Sequence, residues 1–170
     1  MKKILLFSDT HSYLGEDVKS HLRHADEIWH AGDIGSLVLL DEISSVGNKL
    51  RVVYGNIDDI EIRNKTTLNE EFTVEGVNVF MTHIGGYPPR YTKRVSKILQ
   101  TTKPDLYICG NSHILKVMKD QELGILHMNP GACGVVGFHK FRTLLSFELN
   151  NGKIENLNAI ELGLRSAVKI

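Results

Sequence analysis

A mixed α/β fold, two β-sheets packed face to face with helices on the outsides, is predicted by three features of this sequence. Its first half alternates short apolar runs with amphipathic stretches. Its second half is dominated by strand-like runs. At 170 residues with 42% hydrophobic content, the chain suits one globular core. A single domain over residues 1–170 is the expectation, since no linker, internal repeat or low-complexity segment divides it.

In order, Ile4 to Phe7, Glu27 to His30 and Leu50 to Tyr54 read as buried strands, separated by helical patterns near Leu14 to His24 and Ser36 to Val46. That rhythm predicts right-handed crossovers and a largely parallel sheet. Further strands are expected at Phe72 to Glu75, Val77 to Thr82, Asp105 to Cys109, Ile114 to Met118, Ile125 to Met128, Thr143 to Leu149 and Ile154 to Ile160. Only Lys93 to Thr101 looks helical in this half. Asn151-Gly152 between two alternating runs signals a hairpin, because a tight primed turn needs positive φ at both central residues. The second half is therefore expected to be rich in antiparallel strand.

Composition narrows the function. Lys+Arg and Asp+Glu both number 20, so no charge excess points to nucleic-acid or membrane binding, and a nucleic acid would be met only as substrate. The apolar run after Lys2-Lys3 is too short for a signal peptide, and nothing approaches the roughly 20 apolar residues of a membrane span. The cytoplasm is the expected location. Cys109 and Cys133 form no Cys-x-x-Cys pair, which argues against a disulfide framework or thiolate zinc site; Cys109 reads as a core residue.

The chemistry lies in the loops directly after the strands. Ile4 to Phe7 is followed by Asp9-Thr10-His11, Ile28 to His30 by Gly32-Asp33, and Val52 to Tyr54 by Gly55-Asn56. Val79 to Met81 is followed by Thr82-His83, and Leu106 to Cys109 by Gly110-Asn111-Ser112-His113. Ligands in α/β sheets gather at the carboxyl ends of strands. In extended backbone, residues two apart share a face, so Asp9 with His11 and Asn111 with His113 can each aim at one point. The glycines before Asp33, Asn56 and Asn111 allow a sharp turn and close approach. Mixed carboxylate and imidazole donors suit Mn, Fe, Zn or Ni better than Mg or Ca. One such His alone would be ordinary; the ordered recurrence points to a shared metal site.

These residues resemble the calcineurin-like metallophosphoesterase superfamily, with its ordered motifs D-x-H, G-D, G-N-H-[DE], a lone His and G-H-x-H. The likeness spans essentially the whole chain and is strongest to small YfcE-like phosphodiesterases, with the Vps29 scaffold among their relatives. It implies an αββα sandwich and hydrolysis of phosphodiesters by in-line attack of metal-activated water on phosphorus. One or two divalent ions are implied, Mn foremost and Ni, Zn or Fe as alternatives. By the resemblance, Asp9, His11, Asp33 and His113 hold the first ion. Asp33 bridges to a second held with Asn56, His83 and Asn111.

Two departures matter. Asn111 stands where the family has His, which makes the second position weaker, and Ile57 replaces the His that assists the leaving group in many relatives. Asp33, Asn56 and the altered Asn111 are thus the catalytic candidates. Asn56 also contacts phosphate by the same resemblance. At lower weight, Gly85 to Tyr91 reads as a lid with Arg90 to clamp phosphate and a Tyr to stack on an aryl group, or as an ordinary loop. His139 is a candidate phosphate donor, with surface exposure the plainer expectation. Asn129-Pro130-Gly131 reads as a Pro-Gly turn or a loop shaping the pocket floor. His21 and His24 are expected in solvent, and His30 packed behind the ligands. The expected partner is a small phosphoester, with no membrane and no stable nucleic-acid complex; homo-oligomerisation stays open. The rival reading is a Vps29-like interaction module with a vestigial metal site.

Overall fold

The computed structural model describes residues 1–168. β1 (Lys2–Phe7), β2 (Glu27–His30) and β3 (Lys49–Val52) lie parallel and adjacent, separated in sequence by α1 (Glu16–Leu22) and α2 (Leu37–Ser45). Their side chains alternate between two buried faces. Ile4 and Leu6 point between the sheets, while Leu5 and Phe7 meet α1 and α2. Burial on both faces explains why Ile4 to Phe7 of β1 reads as a continuous apolar run, whereas the edge strand β3 is only half-buried. The short helix α3 (Ile60–Lys65) has no counterpart in the sequence reading. Asp59 caps it by accepting from the amides of Glu61 and Ile62.

β4 (Asn69–Val74) and β5 (Val77–Thr82) form a hairpin, followed by the two-residue strands β6 (Gly86–Tyr87) and β7 (Arg90–Tyr91) and by α4 (Lys93–Thr102). β8 (Leu106–Ile108), β9 (Leu115–Lys119) and β10 (Leu126–Pro130) complete a second sheet in the order β4-β5-β8-β10-β9. β11 (Phe141–Asn150) and β12 (Lys153–Leu164) return to the first sheet, where β11 runs antiparallel to β1. Asn151 and Gly152 turn that last hairpin at φ 47° and 79°, as predicted. The second half is less antiparallel than expected, because β8 pairs parallel with both β5 and β10.

The resulting layers are helix, sheet, sheet, helix. Between the sheets, Trp29 meets Phe72 and Phe147 edge-on, with ring centroids 5.0 and 5.6 Å away. α4 covers the outer face of the second sheet, setting Val95 and Leu99 on Phe80 and Tyr107. Arg142 ties β11 to α1 by a bidentate pair with Asp17 at 2.7 and 3.1 Å.

His127, on the outer face of the second sheet, is fully buried with neither ring nitrogen hydrogen-bonded. It lies against Tyr107 and Tyr87, with Lys116 over the Tyr87 ring. Burial pushes its pKa down from 6.5 to about 4. Because the folded value is depressed below the unfolded one, protonating this imidazole destabilises the fold. Its stabilisation is complete above pH 6.5 and is lost as pH falls toward 4, by up to about 3 kcal/mol. Denaturant titrations from pH 7 to 4 should show this loss in the wild type and a flatter profile in His127→Leu.

Candidate metal centre

The five polar tips expected at strand ends meet at one edge of the sandwich. The Asp9–His11 loop follows β1 and lies beside Gly32-Asp33 after β2, with Asp9 N–H donating to Gly32 O at 3.0 Å and His11 N–H to Asp33 O at 3.1 Å. The loops after β5 and β8 are joined in the same way, Gly110 N–H donating to His83 O at 3.0 Å. Asn111 N–H crosses between the sheets to Asp9 Oδ2 at 3.2 Å.

Two overlapping groups of donors result: Asp9, His11 and His113, and Asp9, Asp33 and His83. Asp9 Oδ1 lies 3.3 Å from His113 Nε2 and 3.9 Å from His83 Nε2. Asp33 spans the two groups, with Oδ2 3.6 Å from His11 Nε2 and Oδ1 3.2 Å from His83 Nε2. Convergence does not come from extended backbone, contrary to expectation. Asp9, His11, Asp33, Asn111 and His113 all have positive φ, between 46° and 66°. Such left-handed conformations cost a non-glycine residue about 1–3 kcal/mol and cluster at functional sites. Gly32, at φ 98°, and Gly55 do serve close approach: a Cβ at either would collide with His83 or with Asp33 Oδ1.

The site's charges are coupled. Burial alone would lower the His83 pKa, but Asp33 and Asp9 hold it above the ordinary imidazole value. Burial pulls Asp33 up, and His83 outweighs it and holds the carboxylate low. For His11 burial wins and the pKa falls. Asp9 Oδ1, His11 Nε2 and His83 Nε2 are nevertheless buried without a hydrogen-bond partner. An unsatisfied buried polar atom costs about 1–3 kcal/mol. His11 Nε2 belongs to one donor group, His83 Nε2 to the other and Asp9 to both, and this mix of carboxylate oxygen and imidazole nitrogen fits a divalent transition metal.

The calcineurin-like phosphoesterase superfamily domain matches residues 1–152. The chain belongs to the calcineurin-like phosphoesterase superfamily. Solved structures share the fold at low identity. Vps29 from Chaetomium thermophilum is 12% identical with a TM-score of 0.76, over 97% of this chain and 100% of that one. A protein described as a novel archaeal phosphodiesterase is 19% identical at 0.73, over 94% and 99%. A predicted phosphoesterase from Streptococcus pneumoniae is 17% identical at 0.71, over 97% and 90%. No curated protein matches the sequence.

In this member of the calcineurin-like phosphoesterase superfamily the donors are braced from behind, by His30 as the sequence predicts and by further residues it does not announce. His83 Nδ1–H donates to Ala31 O at 2.6 Å, which leaves Nε2 bare toward the carboxylates. His30 is fully buried: its Nδ1 accepts from Gly32 N–H, so Nε2–H donates to Thr10 Oγ1 at 2.9 Å and props both carboxylate loops. Asp58 Oδ1 accepts from Gly35 N–H and Oδ2 from Gly55 N–H, tying the loops after β2 and β3. Asn129 is a brace more than a turn residue. It lies within β10, donating to Gly110 O at 2.9 Å and Ser112 Oγ at 3.1 Å.

His139 corrects an expectation: it is buried, 7% exposed, and faces a ligand instead of solvent. Its Nε2–H donates to Gly134 O at 3.1 Å, so its Nδ1 is the acceptor for His113 Nδ1–H at 3.2 Å. That bond leaves His113 Nε2 bare for a cation. Residues in this orienting position typically affect metal affinity 10- to 100-fold. His139→Ala should therefore weaken Mn binding by roughly tenfold or more in a calorimetric titration, and His139→Gln, which keeps an acceptor, by less.

Asn56 and Asn111 lie exposed at the rim, and neither side-chain amide has a protein partner among the described residues. Arg90 is not brought to the ligands. Its hairpin is pinned over the outer face of the second sheet, where Tyr107 Oη donates to Gly86 O and Tyr87 lies on His127. Two other arginines stand closer: Arg63 and Arg94 line a cavity with Asn56 and His83. Among the described residues, no helix is long and apolar enough to cross a membrane.

Proposed function

We propose that the chain is a metal-dependent phosphodiesterase acting on small or exposed phosphodiesters. The observation that carries this reading is the convergence of buried, unpartnered donors, Asp9 Oδ1, His11 Nε2 and His83 Nε2, at strand ends of a calcineurin-like phosphoesterase. Asp9, His11, Asp33 and His113 would hold one cation, with Asp33, Asn56, His83 and Asn111 offering a second, weaker position. When bound, divalent cations, Mn above all, supply Lewis-acid charge stabilisation at the phosphoryl oxygens and acidify water near neutral pH.

The protein's own residues supply the rest. The bonds from His83 to Ala31 O and from His113 to His139 fix which imidazole nitrogen is bare. Asn56, exposed beside His83, can donate its amide hydrogens to a phosphoryl oxygen. Asp33 Oδ1 accepts from Ile57 N–H at 3.1 Å, which holds the Asn56 loop against the carboxylate. Ile57 has no proton to give a leaving group, and general-acid help is typically worth about 10²–10⁴-fold. Esters with good leaving groups are therefore the favoured substrates. We place the enzyme in the cytoplasm on the same reading.

Hydrolysis of bis(p-nitrophenyl) phosphate with Mn, Ni, Zn or Mg tests this. Mn-stimulated turnover well above that of an alkyl monoester is expected; equal rates on the two would sink the leaving-group argument. A second reading, a protein-interaction module, is favoured by the exposed Ile57, Ile84, Ile114 and Phe138 beside the ligands. It prevails if no metal elicits hydrolysis of any phosphoester.

A further inference from the structure

Next to His83 and Asn56, a cavity of about 110 Å³ opens between the loop after β3, the start of β4 and the loop after β5. Its walls are Tyr54, Leu68 and Ile84. Leu68 and Ile84 are both 43% exposed and present aliphatic surface to solvent beside the cluster of carboxylates and imidazoles. An enclosed apolar cavity of roughly 150 Å³ accepts benzene; this one is smaller but open on one side, so it takes a single ring with part of the ring outside.

Two guanidinium groups flank these walls, and both are held only by neutral oxygens. Arg63 donates from Nε to Asp58 O at 2.7 Å and from Nη2 to Asn56 O at 3.3 Å, with its guanidinium 5.0 Å from the Tyr54 ring centroid. Arg94 donates from Nη1 to Asn69 Oδ1 at 2.6 Å and from Nη2 to Thr82 Oγ1 and Ile84 O, both at 3.0 Å. Neither meets a carboxylate among the described residues. Each cation is thus fixed in place by several bonds while its charge stays uncompensated, an arrangement suited to an anionic ligand.

We infer that this cavity binds the organic group of the phosphoester, an aromatic ring that carries a second negative charge, with Tyr54, Leu68 and Ile84 around the ring and Arg63 and Arg94 on the charge. This rests on the phosphodiesterase reading and adds the substrate class to it. Arg63 has a second role, because its bonds to the carbonyls of Asn56 and Asp58 hold the loop that carries Asn56. Arg94 is therefore the cleaner residue to vary.

Three unreactive phosphonates titrated calorimetrically into the Mn-loaded protein test the assignment. Phenylphosphonate should bind about tenfold tighter than methylphosphonate, from burial of the ring. A para-carboxylate on the ring should tighten binding further by about threefold to tenfold. Leu68→Trp, which fills the cavity, should bring the phenyl and methyl compounds within about twofold of each other, and Ile84→Trp serves the same purpose if Leu68→Trp does not fold. Arg94→Met should erase the carboxylate's advantage. Methylphosphonate binding as tightly as phenylphosphonate in the wild type overturns the subsite and leaves the phosphodiesterase reading standing. If none of the three binds, the subsite is overturned, and the hydrolysis of bis(p-nitrophenyl) phosphate decides the phosphodiesterase reading separately.

Discussion

Asp9→Asn is expected to remove Mn from the protein and lower kcat/KM on bis(p-nitrophenyl) phosphate by about 10³-fold or more, equivalent to about 4 kcal/mol of transition-state stabilisation. Asp9 is fully buried, and its Oδ1 belongs to both donor groups, so a single oxygen-for-nitrogen change weakens both cation positions at once. The substituted side chain has the same shape, and the cross-sheet bond from Asn111 N–H still finds an amide oxygen if the introduced amide turns that way. The fold should survive, as circular dichroism would show. Metal content by mass spectrometry and initial rates are the readouts; a variant that keeps full metal-dependent activity would mean that Asp9 is no ligand.

Asn111→His should act in the opposite direction. Asn111 lies exposed at the rim at φ 66°, its side chain free of protein partners among the described residues. Histidine, like asparagine, is enriched in left-handed conformations, so the backbone can keep its turn. Imidazole is the stronger ligand for a transition metal. Bound Mn should rise from about one toward two ions per chain, and turnover by about tenfold or more. Equilibrium dialysis at graded Mn concentrations would show the second binding step directly. No gain in either metal or rate would place residue 111 outside the site.

What the sequence reveals of the centre is its strand-end logic. Apolar runs that stop at Asp9-Thr10-His11, Gly32-Asp33 or Thr82-His83 advertise both the strand and the polar tip within a few neighbouring residues. The backbone that makes the tips converge is not legible there: Asp9 and His11 meet through left-handed turns at φ 55° and 46°, which spacing alone does not show. The bracing roles of His139 and Asn129 are hidden because their partners lie far along the chain, His113 for the one and Gly110 for the other.

Arg90 is close to His83 in sequence, yet Tyr87 and Gly86 anchor its hairpin elsewhere. Arg94 reaches the cavity from the first turn of α4, where nothing in the sequence distinguishes it from an ordinary solvated cation. α3 is too short for its periodicity to register, although Asp59 before Ile60 is a proper cap. The pairing of β11 with β1 joins distant parts of the chain, and a register of that kind is set by packing between the sheets.

The central claim, that Asp9, His11, Asp33, His83 and His113 gather around a divalent cation, is tested most directly by anomalous diffraction at the Mn absorption edge from Mn-soaked crystals. The expected map has a strong peak within coordination distance of Asp9 Oδ1 and bounded by His11, Asp33 and His113, with a weaker peak toward His83 and Asn56. A map with no peak among these residues, or with its only strong peak elsewhere on the protein, would contradict the account.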